Sequence, residues 1–251
     1  MSSVSGIGSQ SIYTQLSTGK KINSAADDAA GLAIAQKLQS QTNGYDVGAE
    51  NIRDGMSVLN IADGGLDGIT DYLQRIRELS VKASNGLYGQ QEKQSIQDEI
   101  GQCLEGIRQA AKGTEFNTMK LLDGSMADMN IASNPDGSGM EIQMADATLA
   151  KLGMEGYDVT GNFDISRVDK ALELVTSQRS SMGASMNRLE HAYRSNTNAS
   201  LQLTSAQSRI EDLDMAKGVT EQKKQDLLKS YQNVLLRKKM QDDSLVLKFF
   251  Q

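Results

Sequence analysis

The stretch IQDEIGQCLEGIRQA, residues 96–110, places Ile96, Ile100, Cys103, Ile107 and Ala110 at spacings of four, three, four and three. Near the other end, ASLQLTSAQSRIEDL, residues 199–213, repeats that spacing with Ala199, Leu203, Ala206, Ile210 and Leu213. An apolar position every half-heptad is the seam of helices that pack side by side. The seven-residue pattern extends over residues 29–111 and again over residues 168–213, with a Gly-rich insert between. Two regions so far apart, carrying the same repeat, predict that helices from both ends of the chain lie against each other while the middle loops out.

Outward from these seams the elements follow. Asn23, Ser24, Asp27 and Asp28 offer N-caps for a helix from about Ala29 to Ala62, with Ile34, Leu38, Tyr45, Ile52, Met56 and Leu59 on its stripe. Asp63-Gly64-Gly65 reads as a break, followed by a second helix from Leu66 to Ser84 on Leu66, Ile69, Leu73, Ile76 and Ala83. A third runs from Gln91 to Ala111. Residues 113–165 change character: they hold the single proline, Pro135, a turn signal at Asn134-Pro135-Asp136-Gly137, and short alternating segments at Met126–Ala132 and Met140–Met144. One or two β-hairpins are expected there. A fourth helix, Ser166 to Asp214, would be about 48 residues long and span roughly 70 Å. Gly218 is expected to interrupt it before a last helix from Val219, with Leu227, Leu228, Tyr231, Val234, Leu235, Met240, Leu245 and Leu247 as its apolar positions.

Composition agrees. One Pro, no Trp and 4% aromatic residues in 251 suit long uninterrupted helices better than a compact globule. A net charge of −6 gives no basic footprint for nucleic acid. Cys103 is the single cysteine, so no internal disulfide forms, and its seam position reads as a small buried apolar residue. No apolar run is long enough to span a membrane, and Met1 to Gln10 lacks the apolar core of a secretory signal. By that test alone the protein reads as cytosolic, although export routes that use other signals escape it.

Few residues offer chemistry. Asp63-Gly64-Gly65-Leu66-Asp67-Gly68 has no strand before it and no Lys-Ser/Thr after it, so a helix-to-helix turn explains it better than a phosphate loop. His191 is the sole histidine and has no ligand partner at workable spacing. The serines lack a Gly-x-Ser-x-Gly elbow, and residues 113–165 lack a His-Glu-x-x-His, so the chain is not expected to be an enzyme. Adjacent Asp27 and Asp28 suit capping, not a carboxylate pair. On Leu73–Ser80, Arg75, Arg77 and Glu78 spread over an outer surface with Leu79 beside them. That is either a solvated face with local ion pairs or a docking patch of Arg and a partly exposed Leu. The chain ends in Leu245-Val246-Leu247-Lys248-Phe249-Phe250, an apolar tail that makes sense if another chain covers it.

Longer motifs carry a resemblance. Leu16-Ser17-Thr18-Gly19-Lys20-Lys21-Ile22-Asn23-Ser24-Ala25-Ala26-Asp27-Asp28-Ala29-Ala30-Gly31-Leu32-Ala33-Ile34 resembles the N-terminal signature of bacterial flagellins. Leu73 to Val81, Gln97-Asp98-Glu99-Ile100, Thr114-Glu115-Phe116-Asn117 and Lys120-Leu121-Leu122 continue it. Ser177-Gln178-Arg179, Asn187-Arg188-Leu189-Glu190-His191 and Leu203 through Ala216 are similar to the C-terminal signature. The resemblance covers residues 12–216 in order. It implies a structural subunit of the bacterial flagellar filament that self-assembles into a helical tube for motility. The alternatives within the same class are a hook–filament junction protein or a minor companion of other flagellins.

The resemblance further implies a mainly α fold, an elongated antiparallel helical bundle or coiled coil with a small β-hairpin region. Residues 1–28 would be a short N-terminal inner-core part. Residues 29–214 would be a helical rod with a β-hairpin insert at about 113–165, too short for outer variable domains. Residues 215–251 would be a C-terminal inner-core helix. Polymerisation would rest on Leu227, Leu228, Tyr231, Val234, Leu235, Leu245, Leu247, Phe249 and Phe250. Subunits of this family leave the cell through the flagellar secretion apparatus without a cleaved signal peptide, typically after an export chaperone has bound the C-terminal helix. The innate immune receptor TLR5 is a further expected partner, with Arg75, Leu79 and Glu99 at the contact. No cofactor, nucleic acid or membrane is implied.

Overall fold

The structure, a computed structural model, describes residues 12–249, with side-chain burial described as far as Gln241. Helical turns at residues 12–18 (α1) precede a helix of 55 residues, Ala29–Ala83 (α2). Gln90–Gly113 (α3) has 24 residues, Ser166–Glu211 (α4) has 46, and Met215–Phe249 (α5) has 35. Two small antiparallel pairs lie between α3 and α4: Glu115–Phe116 (β1) with Met119–Lys120 (β2), and Asp128–Ala132 (β3) with Gly139–Gln143 (β4). The fold is therefore mainly helical with a small β-hairpin region, as the heptads and the turn signal predicted. The chain divides into two compact units. One is Asn43–Ser200. The other is made from both ends, up to Thr42 and from Leu201 on.

The hydrophobic core lies wholly in Asn43–Ser200. Ile52, Leu59, Leu66, Ile69, Leu73 and Ile76 of α2 are sealed against Ile100 and Ile107 of α3 and Val168, Val175, Met182 and Leu189 of α4. The apolar spacings of four and three do this by keeping one stripe of each helix inward. In the unit made from the ends, Ile22 and Ala35 are the only buried apolar side chains among the described residues. Ile34, expected on the seam, is exposed.

The expected break at Asp63-Gly64-Gly65 does not occur; α2 runs straight through. Each glycine costs a helix about 1 kcal/mol relative to alanine. Ala62, Leu66 and Ile69 are fully buried around them, and burial of that order outweighs the glycine penalty. Gly65 has a positive reason to lack a side chain: a Cβ there would come within 2.5 Å of Thr114 Oγ1. Arg179 of α4 adds a bracket across the same turn, with Nε on Asp63 Oδ1 at 2.8 Å and Nη1 on Asp67 Oδ1 at 2.7 Å. Gly218 does not interrupt a helix either. The interruption falls at Asp212–Asp214, and Asp214 Oδ1 caps α5 by accepting from the Ala216 and Lys217 N–H groups.

The β3–β4 hairpin turns at Asn134–Gly137, where the Gly137 N–H donates to Asn134 O at 3.0 Å with φ +82°. It lies against α2 so closely that a Cβ on Gly48 would sit 2.3 Å from Ser133 O. Two amides hold it there. Asn196 Nδ2 of α4 donates to Ser133 O at 2.6 Å, and Asn51 Nδ2 of α2 donates to Ala132 O at 2.9 Å. Ile131 and Ile142 are its buried residues. Farther along, Gln97 of α3 holds the returning chain by donating to Tyr157 O (3.0 Å) and accepting from the Val159 N–H (2.8 Å).

Candidate assembly interface

Helix α5 carries its apolar residues in the open. Leu227, Leu228, Tyr231, Val234 and Leu235 are each between 48% and 70% exposed. At 3.6 residues per turn these five share an arc of about 120°, the width of stripe that a helix normally buries. Lys224 and Lys238 fall in the same arc and bracket the stripe along the axis. Leu236 and Met240 are also exposed but face away from it. The sequence reading groups these positions with Met240, which lies on the other side of the helix. The side chains of Leu245, Leu247, Phe249 and Phe250, expected to extend the surface, lie outside the described residues.

The chain's two ends meet before α5 begins. The Lys21 N–H donates to Glu211 O at 2.6 Å, the Leu213 N–H donates to Gly19 O at 2.9 Å, and Lys20 pairs with Asp212 as an isolated antiparallel bridge. Gly19 has φ +71°, a conformation that glycine adopts without strain. Lys20 Nζ reaches Glu211 Oε1 at 2.5 Å, and Gln207 Nε2 donates to Glu211 Oε2 at 3.0 Å. With its side chain only 10% exposed, Glu211 has a carboxyl held below its ordinary range, first by the Lys20 hydrogen bond and then by Gln207. Tyr13 of α1 donates to Asp226 of α5 at 3.1 Å. The motif Leu16–Asp28 thus acts partly as a clasp. Asp27 is absorbed the same way: its carboxyl accepts from the backbone of Asn23 and Ser24, which lowers its pKa. Asp28 caps α2 through the Gly31 N–H.

On α2 and α3, Arg75 donates through Nε and Nη2 to Glu99 Oε1 at 2.8 and 2.5 Å and through Nη1 to Glu78 at 3.0 Å. The carboxylates raise the guanidinium pKa, Glu99 first. Arg75 and Glu99 therefore form one exposed charged surface. Leu79 does not join it. Expected as a partly exposed leucine, it is 2% exposed and packs in the core. The reason is that the buried stripe of α2 widens locally beyond the two seam positions, taking in Leu79 beside Ile76, Ser80 and Ala83, all fully buried, whereas Tyr72, one heptad earlier, is exposed. Arg77 pairs instead with Asp169 of α4 at 2.7 Å.

No group of metal-binding side chains occurs among the described residues, and none of the described helices is long and apolar enough to cross a membrane. His191 is exposed on α4. Cys103 is buried at the α3 seam, where burial pushes its thiol up and away from reactivity.

Comparison with known proteins agrees with this geometry. Residues 7–127 match the bacterial flagellin N-terminal helical region, and residues 165–250 match the bacterial flagellin C-terminal helical region. A flagellin of Halalkalibacterium halodurans is 35% identical over 250 residues, covering 96% of this chain and 92% of its own. A flagellin of Bacillus subtilis is 36% identical over 284 residues, covering 97% and 93%. Among solved structures, the crystal structure of Bacillus cereus flagellin superposes with a TM-score of 0.52 at 26% identity, over 59% of this chain and 88% of that one. A putative flagellar hook-associated protein from Vibrio parahaemolyticus shares the fold at a TM-score of 0.63, with 12% identity over 74% of this chain and 100% of its own.

Proposed function

This chain belongs to the bacterial flagellin family and is a structural subunit of the external flagellar filament, and we propose that α5 is the surface through which copies polymerise into a helical tube. The observation that carries this is the stripe Leu227, Leu228, Tyr231, Val234 and Leu235, left open in a single copy. Exposed apolar side chains clustered on one arc mark an interface. The end-derived unit buries little of its own, so neighbouring copies supply its missing core, and Leu245, Leu247, Phe249 and Phe250 extend the contact. In this reading residues 1–28 and 215–251 are the inner-core parts of the subunit and residues 29–214 its rod.

The same open helix is the surface for an export chaperone before the chain leaves the cell, unfolded, through the flagellar secretion apparatus. Arg75 and Glu99 form the surface offered to the receptor TLR5, and buried Leu79 supports it from beneath. Companion flagellins join through the same α5 stripe. The chain acts by assembly, not by catalysis.

The test is the double variant Leu228→Asp with Leu235→Asp. Each leucine contributes about 1.5–3 kcal/mol when buried, so the pair should raise the critical concentration for polymerisation by about a hundredfold or more. Far-UV circular dichroism should be unchanged, since both residues are exposed in the single copy. Normal filaments of the variant under negative-stain microscopy would overturn the assignment.

A further inference from the structure

Thioethers fasten the β3–β4 hairpin to the helices. Of the chain's 12 methionines, Met126, Met129, Met140 and Met144 fall in or beside its two strands. Register sets Met129 opposite Ile142 and Met140 opposite Ile131, so both methionines share the face of the two buried isoleucines. Met144, two residues beyond Ile142, continues that face. All three are half-buried and pack against the core. Strands ordinarily favour β-branched residues at such positions, whereas a thioether can be oxidised.

Met144 also walls an open cavity of about 240 Å³ beside α4, with Gln143, Ser177, Gln178, Ser181 and the buried Met182. A space of that size admits water-sized molecules, hydrogen peroxide among them. Two contacts depend on where Met144 lies. Its N–H donates to Ala127 O at 2.8 Å and closes the strand ladder, and Gln178 Nε2 donates to Asp146 O at 3.0 Å just beyond it. Gln178 Oε1 is already a buried acceptor with no partner among the described residues, so the inner wall is short of donors. The hydroxyls of exposed Ser177 and Ser181 lie on the solvent side.

We propose that Met144 is an oxidation site that unfastens the hairpin. Its Sδ lone pair attacks one oxygen of hydrogen peroxide and the O–O bond breaks. The proton on the transferred oxygen passes to the departing hydroxide, which leaves as water; the sulfur is oxidised to the sulfoxide and the peroxide is reduced. The new oxygen is a strong acceptor that finds no donor facing the core. It turns to the serine hydroxyls of the cavity and draws the end of β4 away from Ala127. A subunit of the external filament meets this chemistry away from the reducing cytosol.

The test is the full-length monomer in dilute hydrogen peroxide. Peptide mass spectrometry reads which methionines gain an oxygen, and hydrogen exchange reads the hairpin. Exposed Met119, Met215 and Met240 gain oxygen first. Met144 follows, and the protection of its amide then falls about tenfold or more, as one unpaired buried acceptor dictates. Methionine sulfoxide reductase with a thiol restores the protection. Met144→Leu, a volume-conserving change, abolishes the peroxide effect on the hairpin, whereas Met119→Leu, Met215→Leu and Met240→Leu together leave it in place. The site is overturned by a Met144 that stays unoxidised once the three exposed methionines are fully oxidised, or by a Met144 sulfoxide with unchanged hairpin protection. An equal loss in Met144→Leu, or a loss that the reductase leaves in place, also overturns it.

Discussion

Replacing Gly48 by alanine should destabilise the unit Asn43–Ser200 although the substitution improves helix propensity. Alanine at an interior helical glycine gains about 1 kcal/mol. The new Cβ, however, would lie 2.3 Å from Ser133 O, an atom of backbone that no side-chain rotation can move. To reach ordinary contact the β3–β4 hairpin must retreat by about 1 Å, on the scale of van der Waals separations. That retreat stretches the amide bonds of Asn196 to Ser133 O and Asn51 to Ala132 O. Each is worth about 1 kcal/mol, and leaving the amide of Asn196, only 5% exposed, unsatisfied adds about 1–3 kcal/mol. The net expectation is a loss of about 2–4 kcal/mol, or roughly 5–15 °C in midpoint for a unit of this size. Guanidinium unfolding of the monomer, followed by circular dichroism below the polymerisation threshold, measures it. Gly68→Ala, with nothing within 4 Å of the added carbon, is the control and should stabilise by up to about 1 kcal/mol. Because Gly48 and Asn196 hold the same carbonyl, Gly48→Ala and Asn196→Ala should be less than additive. A Gly48→Ala chain as stable as the parent, or strict additivity, would refute the reasoning.

The clasp at Glu211 should loosen in acid. Its carboxyl pKa is depressed in the folded chain, so the stabilisation is complete above the ordinary glutamate value of about 4.3 and is lost as pH falls through the lower folded value. The protection factors of the Lys21 and Leu213 amides should fall over that window, and Glu211→Gln should show low protection at every pH; an unaltered protection profile in the variant would count against the clasp. Cys103, buried with its thiol pKa raised, should resist an aromatic disulfide reagent in the native monomer and react promptly in denaturant, and prompt native labelling would contradict the packed seam.

Where heptads ran long, the sequence was a reliable guide. The long helices at both ends of the chain, the apolar stripe of α3 at Ile96, Ile100, Cys103 and Ile107, and the turn at Asn134–Gly137 all follow from local spacing and are found in the structure. Errors arose where tertiary burial overruled local propensity. Asp63-Gly64-Gly65 has the composition of a turn, yet three fully buried neighbours and the Arg179 bracket keep it helical. Leu79 was misplaced because a seam rule assigns two buried positions per heptad, and the buried stripe of α2 is wider than that at residues 76–83. The break at Asp212–Asp214 was shifted to Gly218 because the pairing that ends α4 comes from residues 19–21, invisible to any local window.

The clasp also sets an order of events during folding. Lys20 and Glu211 are 191 residues apart in the chain, so closing their contact in an unfolded coil is entropically expensive. Ser200 donates to Asp46 at 2.6 Å, so once Asn43–Ser200 has formed, its own entry and exit strands of chain are already neighbours. The loop left to close shrinks to roughly 37 residues, which lowers the closure entropy by about 1.5 kcal/mol. The two extremities therefore zip last, templated by a middle that folded without them, and a chain truncated after residue 200 should still reach that first stage.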